Sequence, residues 1–506
     1  MRPEGVRMSF NVLFIYPNFR SETLVPPAIA LLSRILKNNG FVVGLFDTTD
    51  YGLDLSKDYD KVQEKYLTVR PTKHRKLKYE DHNVWQDLND KVNSFGPDII
   101  AVSATESTFL LGVEVIKHIE HREMPIILGG TFATFAPTRA LDFPEIDIVC
   151  VGEGEIPLLE LCQKMSRGED WKKVPGLVFR DKSGELQKNA SPPLVNLNDN
   201  PINFDIGLFD RERLIRPMAG KMYKMAPVET IRGCPYHCAF CNSPGQNMMF
   251  DTPTQKFVRK KSMPKVREEL LHYKNNFGVE YNFFWADTFL MMSQRELDEF
   301  CEIYQDIKLP FWVQTRVETI NEWRIKKLKK VGLARIAFGI EHGDEKFRQE
   351  KLIKEFSNAD AVRALDIVAD FEVPYNTNNM VGYPNETWEL AMQTVELNRR
   401  FRGMDTSSCF TFAPYYGTPA RDMAVEAGFM PSDLIAPGNA DDSILNMSQF
   451  PPAEIEKFRR VFSLYVKFPK DRWPEIENAK VNDTVLAALQ TEYRETFFKE
   501  PVKISF

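Results

Sequence analysis

The stretch "IRGCPYHCAFCNSP", Ile231 to Pro244, places three of the chain's seven cysteines, Cys234, Cys238 and Cys241, inside eight consecutive residues. The other four, Cys150, Cys162, Cys301 and Cys409, are scattered and do not form the framework of a disulfide-stapled secreted protein. Thiolates hold iron–sulfur clusters, and a four-iron cube has one corner iron per ligand. Three cysteines leave one iron open, and an open position lets a metal centre take a chelating ligand, as catalytic zinc does. The rival is a structural zinc with His237 as fourth ligand. Zinc ligands, however, typically come as two separated pairs, and a histidine adjacent to Cys238 rarely reaches the same ion. Phe240, beside the last cysteine, either shields a cluster or packs the loop.

Outward from the loop, the pattern is α/β on both sides. The loop follows the strand-like "VETIR", with Gly233 and Pro235 allowing a tight path. After it come "VEYNFFWADTF", "FWVQTRVETI", "LARIAFGIEHG", "VPYNTNNMVGYP" and "DTSSCFTFAPYYGTP", each separated by a helical pattern. Six strand candidates alternating with helices predict a partial or full parallel β/α barrel, whose chemistry sits at the carboxyl ends of the strands. Before the loop, "NVLFIYP", "FVVGLFDTT", "PDIIAVSA", "PIILGG" and "IDIVCVGEGE" alternate with helical segments, which means right-handed crossovers and a doubly wound, Rossmann-like parallel sheet. The polar run from about residue 50 to 92 reads as a long excursion. Pro, Asn and Asp in "NASPPLVNLNDNPINFD" mark a connector. The expected division is a doubly wound domain over residues 1–170, a linker over 171–226, a β/α barrel over 227–427 and a helical lid or brace over 428–506.

Composition narrows the function classes. The 506 residues, 43% hydrophobic and 27% charged, suffice for two or three domains with buried cores. A net charge of −6 argues against a general nucleic-acid surface, and the basic stretch "TKHRKLKYE", Thr72 to Glu80, reads as a solvated loop. The opening "MRPEGVRMSFNVLFIYP" is too quickly broken for a signal peptide, and no window reaches the roughly 18 apolar residues of a membrane span. A cytoplasmic protein with no transmembrane segment is expected.

The C-x3-C-x2-C spacing of "CPYHCAFC", with an aromatic residue before the last cysteine, resembles the radical S-adenosylmethionine (SAM) superfamily. The resemblance implies a [4Fe-4S] cluster on Cys234, Cys238 and Cys241. It also implies SAM on the open iron, cleaved to a 5′-deoxyadenosyl radical by an electron from an external donor of flavodoxin or ferredoxin type. Abstracting hydrogen from an unactivated carbon needs such a radical, made dry and pre-aligned. Other strand ends agree by position: Asp287 in "FFWADTFLM", Thr315 and Arg316 in "WVQTRVETI", and Glu341 in "IAFGIEHGDE", which is similar to the family's G-I-E-S-G element with His342 in place of the usual serine. There Glu341 is a candidate for SAM ribose or amino contacts, and in "NNMVGYPNET" Met380 and Val381 are candidates to pack the adenine.

The first domain has no G-x-G-x-x-G after its first strand, so a dinucleotide is not expected. Carboxylates in "VGEGE" would repel a phosphate. The small-residue loops "SATEST", "LGGTFAT" and "GEGE", with "VPPAIALLSRILKNNG", resemble the cobalamin (B12)-binding domain that precedes many radical SAM enzymes. The resemblance puts the cofactor's tail beside Ser103, Thr105, Gly129 and Gly130, with Glu106, Thr131, Glu153, Gly154, Pro26 and Pro27 completing the candidate set. D-x-H-x-x-G is absent from "YPNFRSETLVPP", so cobalt should have no histidine from that loop.

Together these imply a cobalamin-dependent radical SAM enzyme, with methyl transfer to an unactivated carbon as the leading activity. A non-methylating oxidative cyclase or ring-rearranging enzyme is the alternative, and a noncatalytic cluster- or corrinoid-binding protein the third reading. Transfer-RNA methylthiotransferases carry further cysteines and a basic RNA module, so no nucleic acid is expected as substrate. The 37 Phe and 18 Met either line an apolar pocket for a lipid or flat ring or fill cores. Tyr415 and Tyr416 follow the last strand as candidate catalytic residues facing a small-molecule or lipid substrate.

Overall fold

The structure, a computed structural model, describes residues 9–20, 25–51, 53, 59–72 and 78–499. The opening residues 1–8 and residues 73–77 of the basic stretch lie outside them. The chain divides into two compact units. One comprises residues 1–58, 75–213 and 250–257, and the other residues 59–74, 214–249 and 258–506.

The first unit is built on β1 (Asn11–Tyr16), β2 (Val42–Asp47), β3 (Ile99–Ser103), β4 (Ile126–Gly129) and β5 (Ile148–Cys150), parallel and in the order β2-β1-β3-β4-β5. Val12, Leu13, Phe14 and Ile15 are at most 1% exposed, so the β1 run is continuous rather than alternating because both faces are covered. One cover is the helix Pro27–Asn38, which starts on a proline whose missing N–H costs nothing there and buries Ile29, Ala30, Leu31 and Leu36. Strand order reverses at β1, with β2 on one side and β3 on the other, giving the switch point at which doubly wound sheets open a ligand crevice. Two short strands, β6 (Leu177–Arg180) and β7 (Leu186–Lys188), extend the β5 edge antiparallel. They come from the stretch in which the periodicity of the sequence fades.

The second unit holds β8 (Ile215–Met218), β9 (Lys221–Glu229), β10 (Ile231–Arg232), β11 (Arg259–Lys260), β12 (Tyr281–Trp285), β13 (Phe311–Thr315), β14 (Leu333–Glu341), β15 (Tyr375–Val381) and β16 (Met404–Thr411). Strands β9-β12-β13-β14-β15-β16 run parallel in chain order, and β8 caps the β9 edge antiparallel. The two ends of this sheet do not pair, so it is a partial barrel of six β/α units. Residue parity on β12 separates its faces. Phe284 packs on Phe300 and Tyr304 of the helix Gln294–Tyr304, whereas Phe283 stacks on Trp312 of β13 on the opposite face.

Beyond β16 the chain ends in the helices Pro452–Lys467, Trp473–Ala479 and Asp483–Phe497. Ser463 Oγ donates to the Ser407 carbonyl of β16 at 3.3 Å, and Arg399 Nη1 donates to the carbonyls of Tyr465 and Phe468 at 2.5 Å each. These helices brace the last strand. Among the described residues no helix is long and apolar enough to cross a membrane.

Candidate active site: a cysteine loop on the barrel and a glycine ledge on the first sheet

Strand β10 pairs antiparallel with β11 and delivers the chain to Gly233, whose φ of +87° turns it into the cysteine loop. The loop is pinned at several points. Asn247 Nδ2 donates to the Cys234 carbonyl (2.8 Å), Ala239 N to Leu352 O (2.9 Å), Ala420 N to Ala239 O (2.9 Å) and Asn242 Nδ2 to Tyr416 O (2.7 Å). Segments after β14 and β16 therefore fix the loop's path.

Each thiol has its own neighbour. Cys234 Sγ is 3.6 Å from Thr288 Oγ1, Cys238 Sγ accepts from Arg316 Nη1 at 3.1 Å, and Cys241 Sγ accepts from Ser243 N at 3.5 Å. Burial pushes the Cys234 thiol up and that of Cys241 up to about 11, so neither ionises readily without a cation beside it. Among the described residues no group of three or more His, Cys, Asp or Glu side chains is gathered to hold a single metal ion, and His237 is exposed. That is the wrong arrangement for one zinc. A cube with a separate iron for each thiolate suits three sulfurs each on its own partner, and the donor set fits.

The strand-end candidates divide by partner. Arg316 is committed to the cysteine loop: besides Cys238, its guanidinium lies 3.9 Å from the centre of the Tyr236 ring and its Nε donates to Glu318 at 3.1 Å. Thr315 is buried, its Oγ1 accepting from Leu290 N (3.3 Å) and sharing a hydrogen with Thr319 (2.8 Å). Asp287 is exposed and accepts from Ser243 Oγ at 3.3 Å, which puts it next to the Cys241 turn. Phe240 and Met380 are half-buried, and Val381 is buried at the end of β15. The Tyr416 ring carries the Arg421 guanidinium 3.5 Å from its centre, and its hydroxyl donates to Ser432 O at 3.2 Å, so its polar group is engaged; Tyr415 is half-buried beside it.

Glu341 ends β14 with φ of +68°, a left-handed conformation that a non-glycine residue rarely takes, where the β14–β15 register shifts. Its Oε1 accepts from Lys354 Nζ at 3.0 Å. The next residue, His342, is buried. Its Nδ1 accepts the Asp344 N–H (3.1 Å), so the ring proton sits on Nε2, 3.1 Å from Glu386 Oε1. The other Glu386 oxygen accepts from Gly382 N (2.6 Å) and Tyr383 N (3.0 Å), tying the loop after β15 to the end of β14. Glu386 and Lys354 were not among the sequence candidates. "GYPNET" offers one signal, a carboxylate just past a Gly-Tyr-Pro turn, whereas Lys354 sits in a charged run that reads as a solvated helix end.

The barrel face away from the helices is aromatic on one side and amide-lined on the other. Phe283 and Trp312 stack at 4.0 Å and 13°, and Trp285, two residues on from Phe283, is 48% exposed. Asn376 and Asn378 on β15 hydrogen-bond each other at 3.1 Å, and Arg335 Nε donates to Asn376 at 3.4 Å.

In the first unit the candidates gather at the carboxyl ends of β3, β4 and β5, which are successive neighbours. Ala104 N donates to Gly129 O at 3.1 Å. Gly130 has φ of +114°, and a Cβ there would overlap the carbonyl oxygen of Ala104. A Cβ on Gly129 would meet nothing within 4 Å, so the missing side chain leaves an open ledge rimmed by Thr105, Gly130 and Thr131, all exposed, with Ser103 half-buried. Glu106 is buried below it, at the start of the helix Glu106–Lys117. Gly152 N donates to Thr134 Oγ1 at 3.0 Å, coupling the loop after β5 to that after β4, and Glu153 Oε2 accepts from Val195 N at 3.2 Å. A Cβ on Gly154 would stand 3.3 Å from Leu32, and Pro26 and Pro27 are half-buried at the start of that residue's helix. A ledge made by absent side chains fits the flat edge of a large cofactor tail.

Two family models match the chain: the Radical SAM superfamily over residues 228–397 and the B12 binding domain over residues 21–162. An uncharacterised methyltransferase of Pyrococcus horikoshii is 26% identical over 392 residues, 76% of this chain and 81% of the relative. The anaerobic magnesium-protoporphyrin IX monomethyl ester cyclase of Rubrivivax gelatinosus is 26% identical over 439 residues, 83% of this chain and 70% of the relative. Among solved structures, the cobalamin-dependent SAM radical enzyme OxsB, with aqua-cobalamin and SAM bound, superposes with a TM-score of 0.63 at 17% identity, over 97% of this chain and 71% of that one. The cysteine loop at the mouth of the six-unit barrel and the small-residue ledge on the doubly wound sheet each fall inside one of the two family-model matches, so the chain carries a radical SAM domain and a B12 binding domain.

Proposed function

We propose that the protein is a cobalamin-dependent radical SAM methyltransferase that places a methyl group on an unactivated carbon of a small or lipid-like substrate. The observation that carries this reading is the pairing in one chain of a three-thiol loop, each sulfur on its own partner, with an open glycine ledge on a second α/β sheet. When bound, the cluster and SAM supply a 5′-deoxyadenosyl radical on an electron from a flavodoxin- or ferredoxin-type donor, and cobalamin supplies the methyl group.

The protein's own residues then have separate tasks. Cys234, Cys238 and Cys241 ligate iron, Arg316 holds Cys238 by a charge-assisted hydrogen bond, and Phe240 shields the loop. Glu341 contacts SAM, with Asp287, Thr315, Met380 and Val381 around it. Ser103, Thr105, Glu106, Gly129, Gly130, Thr131, Glu153, Gly154, Pro26 and Pro27 shape the cobalamin side. Residues 1–170 serve cobalamin, 227–427 serve SAM and the cluster, and 428–506 brace the barrel, while 171–226 connect them and lend β6 and β7 to the first sheet and β8 and most of β9 to the second. The substrate lies against Phe283, Trp285 and Trp312 with its polar groups toward Asn376 and Asn378, and Tyr415 borders it. A non-methylating cyclase is the second reading, and the Rubrivivax relative favours it.

Anaerobic purification with iron, sulfide and corrinoid analysis, followed by SAM turnover, tests both. Methyl transfer yields S-adenosylhomocysteine together with 5′-deoxyadenosine, whereas a cyclase yields the second without the first. Serine at Cys234, Cys238 or Cys241 is expected to remove the brown chromophore and 5′-deoxyadenosine formation together. If either survives, the cluster assignment fails.

A further inference from the structure

Glu341, with φ of +68°, and Ile353, with φ of +51°, are among the residues of the second unit that hold left-handed backbones side chains resist. A β-branched residue there is a genuine outlier, and such strain persists only where the surroundings over-determine it, typically at ligand clamps. The two sites meet through one side chain. Lys354 is 4% exposed, and its Nζ donates to the Gly339 carbonyl at 2.6 Å and to Glu341 Oε1 at 3.0 Å. Gly339 has no room for a Cβ, because the Glu341 carboxylate folds back over it. On the other side of Ile353, the Leu352 carbonyl accepts Ala239 N at 2.9 Å, between Cys238 and Cys241. Three residues in a row thus take hold of the cysteine loop with one end and the Glu341 carboxylate with the other.

We propose that Lys354 is a positioning residue for SAM, acting through Glu341 and resting on the reading of Glu341 as a SAM contact. Its ammonium holds the carboxylate in the folded-back position, and the strained 352–354 turn keeps that position in register with the cysteine loop. Without the ammonium, the carboxylate loses its ion-pair partner, Lys354, and swings away from Gly339.

The test uses the full chain, anaerobically reconstituted. In Lys354→Met, SAM affinity by equilibrium dialysis on the unreduced protein, and KM for SAM in 5′-deoxyadenosine formation, are expected to weaken by about tenfold or more, the scale on which partners behind a binding group act. The thermal midpoint falls, because the variant leaves the Glu341 carboxylate without its ion-pair partner, but iron content and kcat at saturating SAM stay near wild type, a split that a merely structural role would not give. Lys354→Arg keeps the charge and recovers part of the affinity. The double variant with Glu341→Gln binds SAM no worse than Glu341→Gln alone, as expected of two groups acting as one unit. SAM affinity within twofold of wild type in Lys354→Met, while Glu341→Gln loses it, overturns this proposal and leaves the Glu341 reading standing. Unchanged affinity in Glu341→Gln overturns the Glu341 reading itself. Loss of iron in both Lys354 variants overturns it in favour of a role in folding the loop.

Discussion

At the scale of single residues, the buried Glu386 carboxylate does the work of three partners. It receives two backbone N–H groups from the Gly-Tyr turn after β15 and the ring N–H of His342 at the end of β14. Glu386→Ala leaves these donors buried and unpaired, and each such donor costs about 1–3 kcal/mol. The urea midpoint is expected to fall accordingly, whereas Glu386→Gln, which keeps an acceptor oxygen for the backbone, falls less. The same contact explains how the buried His342 is accommodated at the end of β14. The imidazole is a neutral link in a chain of hydrogen bonds, and its place is set by a residue 44 positions away.

At the scale of elements, the loops after β3, β4 and β5 show two glycines used for opposite reasons. Gly130 needs its left-handed backbone and lacks room for a methyl group, so Gly130→Ala is expected to destabilise the protein by about 2 kcal/mol or more, read as a lower urea midpoint. Gly129 has an ordinary backbone and open space at its Cβ. Gly129→Leu is therefore expected to keep the wild-type urea midpoint within about 1 kcal/mol. It should still lower the corrinoid retained after gel filtration, because the side chain fills the ledge. Equal corrinoid retention would move cobalamin off this ledge. The strands that carry these loops were legible in the sequence as buried runs, and so were the six barrel strands. The hairpin β6–β7 was not, because edge strands of three or four residues with one polar face carry too little period to separate from a connector.

At the scale of the whole molecule, the excursion after β2 supplies part of the second unit. Residues 59–72 fold with the barrel, where Arg70 Nε meets Asp405 Oδ1 at 2.8 Å and Arg335 Nη1 meets Asp405 Oδ2 at 2.5 Å. Burial alone would raise the Asp405 carboxyl, but Arg335 and Arg70 outweigh it and hold the group below its ordinary value of 3.8. A carboxyl depressed on folding contributes stability above its unfolded value, and the contribution is lost as pH falls through the lower folded value. Asp405→Asn takes the shared carboxylate from the buried Arg335 and the half-buried Arg70, a loss of about 3–5 kcal/mol at pH 7 measured by urea denaturation. As pH falls below about 4 the wild type should lose stability more steeply than the variant, since only the wild type has this proton to take up. Parallel slopes would remove Asp405 from the acid sensitivity.

The sequence by itself determined what depends on neighbours along the chain: the spacing of three cysteines on one loop, the alternation of buried strands with amphipathic helices, and the small-residue turns at strand ends. Those features are local, since period and turn chemistry are set within a few residues. Only the tertiary structure decided that Lys354 faces Glu341, that Glu386 holds His342, that Arg316 serves a cysteine, and that Arg70 reaches Asp405 across 335 positions. Such partners are chosen by how the sheets curl and where helices bring the chain back, and a charged residue bound for a buried ion pair looks, in sequence, like any other on a solvated surface.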